Sequence, residues 1–380
     1  MAPLPLYALL CVLAVSSCCV GSAHSIAVVD DVTEKEKLGQ EREEFSDRER
    51  EYNDYTTLNR PCPDEDVIAP CRCIVVHGDD YSMAIDCSDV ESEDQLAKIM
   101  SSPFPFNTFN TFHISKNNNL KVLRRGALGN ATFQRFFITY SSLEVIETEA
   151  LAGSYKTATE MTFEHNEIEE FPWGELSSFT NLKTLSLYDN VILSFPPLIS
   201  DTLERLHLSH NPFGSVPVSA FKGAPALIMI DLYSIGMPDI VPGTYSDLPA
   251  LEGLWLGYNQ LHHVPEGALE IVSTSASVYL NFVNNSISSV AVNAFSGLTS
   301  NTTITLRSNQ LQFVEEEVWR PLLEKGVVSL DLEDNPLICG CDIAWVILNS
   351  TFLNLISKRT TCSDGEYLVD LDPIIFKEYC

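Results

Sequence analysis

Leu182-Lys-Thr-Leu185-Ser-Leu187-Tyr-Asp-Asn190 and Leu203-Glu-Arg-Leu206-His-Leu208-Ser-His-Asn211 share one frame: apolar residues at positions 1, 4 and 6 and asparagine at position 9. The frame returns in Leu251-Glu-Gly-Leu254-Trp-Leu256-Gly-Tyr-Asn259 and in Val327-Val-Ser-Leu330-Asp-Leu332-Glu-Asp-Asn335. Extended outward from these four, it sets ninth positions at residues 117, 141, 166, 190, 211, 235, 259, 285, 309 and 335, with steps of 21 to 26 residues. Ser141 and Ile235 stand where Asn is expected, and the eighth and ninth units open on Ser277 and Asn301, so these units are expected to be the less regular turns. Positions 4 and 6 send their side chains to one face of a short strand, and parallel stacking of such strands joins them into a continuous core. Asn at position 9 sits where the chain leaves the strand, and its amide can satisfy backbone groups that would otherwise be buried unpaired. A second apolar set follows, as in Val216, Phe221 and Leu227, and is expected to line the interior of the outer limb.

This register is that of the leucine-rich repeat. The fold class it implies is an α/β solenoid, a horseshoe with a parallel concave β-sheet, here of ten repeats over residues 109–335. Pro and Gly in the outer limbs disfavour long helices, so extended, turn or 3₁₀ segments are expected there. A stack leaves two raw ends of apolar core, and each requires a cap.

The cysteines supply candidates. Eleven occur in 380 residues, but three fall in the first 23, which carry no charged side chain, an apolar run from Leu4 to Val15 and the small-residue ending Gly21-Ser22-Ala23. That segment reads as a secretory signal peptide cleaved near Ala23. The remaining eight form two groups of four, Cys62, Cys71, Cys73 and Cys87 before the repeats and Cys339, Cys341, Cys362 and Cys380 after them. An even count in an exported chain points to disulfides, with three pairings open to each group. Four-thiolate zinc sites fit less well, since no Cys-x-x-Cys pair is present. The groups delimit an N-terminal cap over 61–108 and a C-terminal cap over 336–380. Sequons at Asn130, Asn284, Asn301 and Asn349 mark candidate N-glycosylation sites, in keeping with an extracellular product. No segment approaches 18 uninterrupted apolar residues, so no membrane span is expected.

Charge narrows the function. Against 23 Lys and Arg stand 52 Asp and Glu, a net charge of -29. Such a surface repels phosphate backbones and anionic headgroups, which argues against nucleic-acid and membrane binding. Residues 24–60 contain 11 acidic and 6 basic side chains and few large apolar ones, and read as a solvated, disordered segment. Removing its net -5 from -29 leaves -24 on residues 61–380, so the acidity belongs mainly to the solenoid.

The C-terminal group narrows the family as well. Asn335-Pro-Leu-Ile-Cys-Gly-Cys-Asp-Ile-Ala-Trp345, Thr361-Cys-Ser-Asp-Gly365 and Leu371-Asp-Pro373 resemble the C-terminal cap of the leucine-rich, non-catalytic subunits of Oplophorus-luciferin 2-monooxygenase and their arthropod relatives. The resemblance implies a secreted, non-enzymatic companion to a small catalytic subunit. It also implies bridges Cys62–Cys73, Cys71–Cys87, Cys339–Cys362 and Cys341–Cys380, and a Trp345 packed beneath a short helix.

No phosphate-binding loop, dinucleotide fingerprint, His-Glu-x-x-His or Gly-x-Ser-x-Gly elbow occurs, so neither an enzyme nor a cofactor is expected. His262-His263 reads as exposed surface rather than a metal site, having no third ligand at a supporting spacing. Positions that alternate with the apolar ones must face out of the sheet. Position 5 places His207, Asp231 and Trp255 on three consecutive strands, bordered by Tyr188, Tyr233 and Tyr258, with His210 and Tyr279 nearby. His207 beside Asp231 supplies two members of a catalytic triad by type, but an open sheet gives no water-excluding pocket. Aromatic rings beside charged groups favour a protein-binding surface on the concave face. The rival readings of such a module are a soluble recognition protein of innate immunity and a leucine-rich protein of the extracellular matrix.

Overall fold

The computed structural model describes residues 62–76, 82–194, 196–298, 301–326 and 328–380. The segments read as signal peptide and acidic linker, and Val327 of the last repeat, lie outside the described residues.

The apolar frame folds as its period dictates. Twelve strands form one sheet: β1 (Arg72–Val76), β2 (Ser82–Asp86), β3 (Thr108–Ser115), β4 (Thr132–Thr139), β5 (Glu160–Thr162), β6 (Thr184–Ser186), β7 (Arg205–His207), β8 (Met229–Asp231), β9 (Gly253–Trp255), β10 (Val278–Asn281), β11 (Thr302–Thr305) and β12 (Val328–Asp331). They lie in sequence order, β1 antiparallel to β2 and every later pair parallel. The register pairs like positions: Leu206 sits beside Ile230, Ile230 beside Leu254 and Leu254 beside Leu280. Stacking of equivalent positions runs the buried residues together. Leu185, Leu187, Leu206, Leu208, Leu254 and Leu256 are fully shielded, as are Phe221 and Leu227 from the outer limb, while Val216 is nearly so. The chain is a leucine-rich-repeat solenoid with disulfide-bonded caps.

The asparagines form a ladder beneath the sheet. Asn259 donates through Nδ2 to the carbonyls of Leu232 and Leu256, and its Oδ1 accepts from the amides of Ile235 and Met237. Asn190, Asn211, Asn285, Asn309 and Asn335 repeat the double donation between successive turns. Where Ser141 replaces Asn, its hydroxyl spans a shorter distance, donating to Thr139 O and accepting from Asn117 N. In the eighth and ninth units the irregularity has a simple form. Position 2 takes the interior place: Val278 and Thr302 are buried, as is Val328 in the tenth, while Ser277 is half-buried and Asn301 exposed.

The outer limbs are 3₁₀ turns at Ala152–Ser154 and Trp173–Ser178 and two-residue strand pairs such as His263–Val264 with Ser289–Val290. One limb departs from the expectation: Glu316–Glu324 is an α-helix (α1) despite Pro321 within it. Glu316 and Glu317 favour its N-terminus, Arg320 pairs with Glu316 at 2.7 Å, and Val318, Trp319 and Leu323 bury one face. That burial outweighs the one intrahelical bond Pro321 forfeits.

At the N-terminal end Cys62 bridges Cys73 and Cys71 bridges Cys87. At the C-terminal end Cys339 bridges Cys362 and Cys341 bridges Cys380. Trp345 lies on a short helix, α2 (Ala344–Ile347), rather than only beneath one. Its indole donates to Val314 O at 3.1 Å and its ring lies between Arg320 of α1 and Phe352 of α3 (Ser350–Leu355), which ties the cap to the ninth repeat.

Candidate protein-binding site

Strand register carries His207, Asp231 and Trp255 into adjacent places on the outward face of the sheet. The side chains then part. His207 Nδ1 lies 3.7 Å from Asp231 Oδ2, beyond hydrogen-bond reach, and Asp231 instead accepts from Ser209 Oγ at 2.8 Å and from the Tyr233 amide. Serine, histidine and aspartate thus meet, but the serine donates to the aspartate rather than to the imidazole, and it is 1% exposed. That wiring provides no activated nucleophile.

The Trp255 ring turns away from Asp231, lies over Gly253 of its own strand and meets Tyr279 of the next, with ring centroids 5.9 Å apart. Tyr233 lies over Gly257 and meets Tyr258 at 4.7 Å. A Cβ at Gly253 would collide with the indole, and one at Gly257 with the Tyr233 ring, so these two residues of the seventh repeat are sockets that let the rings lie against the sheet. Burial pushes the Tyr233 hydroxyl well above the usual phenol range, with Tyr258, Asp231 and Tyr279 adding to the shift. Tyr279 is raised by burial and then by the charge of Asp331. Both phenols therefore stay neutral hydrogen-bonding groups.

Tyr188 does not join this group. It meets His165 at 5.0 Å and His210 at 5.1 Å, and Tyr140 stacks on His165 at 4.2 Å, so a separate row runs along one lip of the sheet. His165 is held by Asp189, Nδ1 to Oδ2 2.7 Å. The concave residues thus form two clusters, Tyr140, His165, Tyr188 and His210 over the second to fifth repeats and Tyr233, Trp255, Tyr258 and Tyr279 over the sixth to eighth. Side-chain directions divide them, and residue types at alternating positions do not encode that division.

Position 8 has a property the apolar frame alone does not reveal. Lys116, Tyr140, His165, Asp189, His210, Ser234, Tyr258, Asn284, Ser308 and Asp334 all have positive φ, between 51° and 58°. This left-handed residue turns the chain off the strand in all ten repeats. The signal was present: His, Asp and Asn, which tolerate this conformation, fill five of the ten places. Tyr258 is 52% exposed and Tyr140 38%, the most accessible tyrosines of the two clusters, and His210 is exposed as well.

Among the sequon asparagines, Asn130 and Asn301 are exposed and Asn284 and Asn349 half-buried. Asn349 also caps α3, accepting from Thr351 and Phe352 amides. His262 and His263 are exposed, and among the described residues no cluster of three or more His, Cys, Asp or Glu suits a metal. No helix among them is long and apolar enough to cross a membrane.

The family model described as leucine rich repeat matches residues 201–261. The chain is 36% identical over 321 residues to the Oplophorus-luciferin 2-monooxygenase non-catalytic subunit of Oplophorus gracilirostris, covering 84% of this chain and 88% of that one. It is also 28% identical to bovine osteomodulin over 54% of this chain and 48% of that protein, and 34% identical to bovine fibromodulin over 38% and 37%. A chain of the octameric complex of Latrophilin 3, Unc5D and FLRT2 (LRR) superimposes with a TM-score of 0.60, over 80% of this chain and 97% of that one, at 20% identity, a likeness of fold.

Proposed function

The chain belongs to the leucine-rich-repeat family that includes the Oplophorus-luciferin 2-monooxygenase non-catalytic subunit, and from that premise we propose that it is a secreted, N-glycosylated, non-enzymatic scaffold whose concave face binds a protein partner. The observation that carries this reading is the cluster of Tyr233, Trp255, Tyr258 and Tyr279, held flat on the sheet by Gly253 and Gly257. Rigid aromatic rings supply large contact area at small entropic cost, and an open, extended sheet suits a protein better than a small molecule. The relative's designation as a subunit favours a small catalytic chain as the partner. The matches to osteomodulin and fibromodulin favour a second reading, a component of the extracellular matrix.

Affinity purification of the tagged, secreted protein followed by mass spectrometry separates the two. Recovery of one small protein at equal stoichiometry is the expected result. Recovery of fibrillar collagen in place of such a protein would overturn the companion-subunit reading in favour of the matrix one.

A further inference from the structure

We propose that the sixth to tenth repeats form an extended socket for basic side chains, arginine or lysine, carried by the protein partner; this rests on the reading above that the concave face binds protein.

Four rings and two carboxylates line it, with Asp231 on β8 and Asp331 on β12, four strands or roughly 19 Å apart, so each carboxylate is placed to take its own basic group. Tyr233 and Tyr258 pair toward one edge of the sheet and Trp255 and Tyr279 toward the other. Asp231 lies beside Trp255 in the strand register and receives the Tyr233 amide. Asp331 stands two strands past Tyr279, close enough for its charge to oppose ionisation of that phenol. Ring faces attract cations through their quadrupole, and the attraction grows where water is partly excluded, as it is over the half-buried rings of Tyr233, Trp255 and Tyr279.

The carboxylates around the socket differ from those beyond it. Glu204 pairs with Lys183 and Arg205, Asp334 with Arg307, and Glu333 with Arg307 and Arg359, so each is already balanced by a basic neighbour. Asp231 and Asp331 are instead oriented by hydroxyls and amides. Ser209 and the Tyr233 amide hold Asp231, and Thr305 and the Glu333 amide hold Asp331. Among the described residues neither has a Lys or Arg within ion-pair distance; His207, 3.7 Å away, is the only titratable cation near Asp231. Each of these fixed anions, aimed by neutral donors and set near an aromatic ring, matches a guanidinium or ammonium group from outside. The charge of -29 on the whole chain draws such a partner toward this surface. Aromatic platforms also hold sugars, but that charge and the two aspartates favour the cation.

The test uses the full secreted chain, titrated calorimetrically with the probe peptide acetyl-Arg-Gly-Arg-Gly-Arg-amide, its neutral citrulline counterpart and chitotetraose. The arginine peptide is expected to bind at least about tenfold more tightly than the citrulline peptide. Asp231→Asn with Asp331→Asn, and separately Trp255→Ala, should each weaken it by a similar factor. Trp255→Phe should retain most of the affinity, which separates ring loss from misfolding. Glu169→Gln with Glu170→Gln, an equal charge change on an exposed outer loop, should leave binding unaltered. Equal binding of citrulline and arginine peptides, binding of chitotetraose alone, or an equal effect of the outer-loop pair would overturn the proposal. If the arginine peptide fails while the co-secreted partner is still lost on removing the rings, the concave-face reading stands and the socket falls. If the partner also persists, both fall.

Discussion

At position 9 one carboxamide does what no apolar residue of similar size can. Asn259 joins two carbonyls of successive turns and accepts two amides of the preceding turn, all out of reach of water. Replacing it by alanine takes this partner from three buried backbone groups, the Leu232 carbonyl and the Ile235 and Met237 amides, while Leu256 O keeps its bond from Asn285, so Asn259→Ala is expected to lower the unfolding free energy by about 2 kcal/mol or more. Urea denaturation followed by circular dichroism measures it; a change below about 0.5 kcal/mol would contradict the ladder's stabilising role. The spacing of asparagines exposed this device in the sequence, because an asparagine repeated at one place beside leucines has few other uses. The left-handed residue before it was less legible, since Tyr140, Tyr258 and Lys116 are not residues one reads as turn formers. Gly253 and Gly257 were also silent: a glycine between apolar positions says that space is needed, but the rings that use the space come from Trp255 two residues on and from Tyr233 in the neighbouring repeat.

Elements at the ends show how a stack is closed. The N-terminal cap is joined to the first repeat by two carboxylates. Burial alone would raise the Asp86 carboxyl, but the His113 imidazole 3.4 Å away and hydrogen bonds from Ser88 outweigh it and hold it below its usual value. Glu93 is likewise lowered overall, the cost of burial being exceeded by amide hydrogen bonds that include those from Lys121 and Val122. A carboxyl depressed in the folded chain stabilises above its unfolded pKa, about 3.9 for Asp, and that contribution disappears as pH falls through the lower folded value. Asp86→Asn should therefore melt below the wild type at neutral pH and approach it in strong acid, as differential scanning calorimetry across pH 7 to about 2 would show. A gap that stayed constant throughout that range would refute the assignment. At the other end, Cys339 and Cys362 close a separation of 23 residues. Serine at both should cost about 3 kcal/mol, with hydrogen exchange rising first in residues 336–380 and least in the central repeats. Uniform exchange along the chain would contradict a local capping role. Cysteine spacing made these ends legible. The helix Glu316–Glu324 was hidden by Pro321, because one proline weighed more in the sequence than the buried face of Val318, Trp319 and Leu323 weighs in the fold.

Across the whole molecule, repetition decided the fold and said little about the site. A frame carried through ten units specifies which side chains face inward, since interior positions take apolar residues, a satisfied asparagine or a small hydroxyl residue such as Ser141 or Thr302. Outward positions carry no such constraint, so their identities could be read but their grouping could not. Tyr188, His210 and Tyr233 stand on consecutive repeats, yet the first two join the row on the lip and the third joins the aromatic pairs beyond it. Charge is the other property of this scale: with 52 acidic against 23 basic side chains, association with a basic partner should slow as salt rises. The most direct measurement is the affinity of the co-secreted partner for the wild-type chain and for a variant carrying Tyr233→Ala, Trp255→Ala and Tyr258→Ala together, by surface plasmon resonance on matched secreted samples. Loss of binding by at least about a hundredfold, with secretion and melting temperature preserved, is expected; unchanged affinity in a folded variant would contradict the concave face as the binding surface.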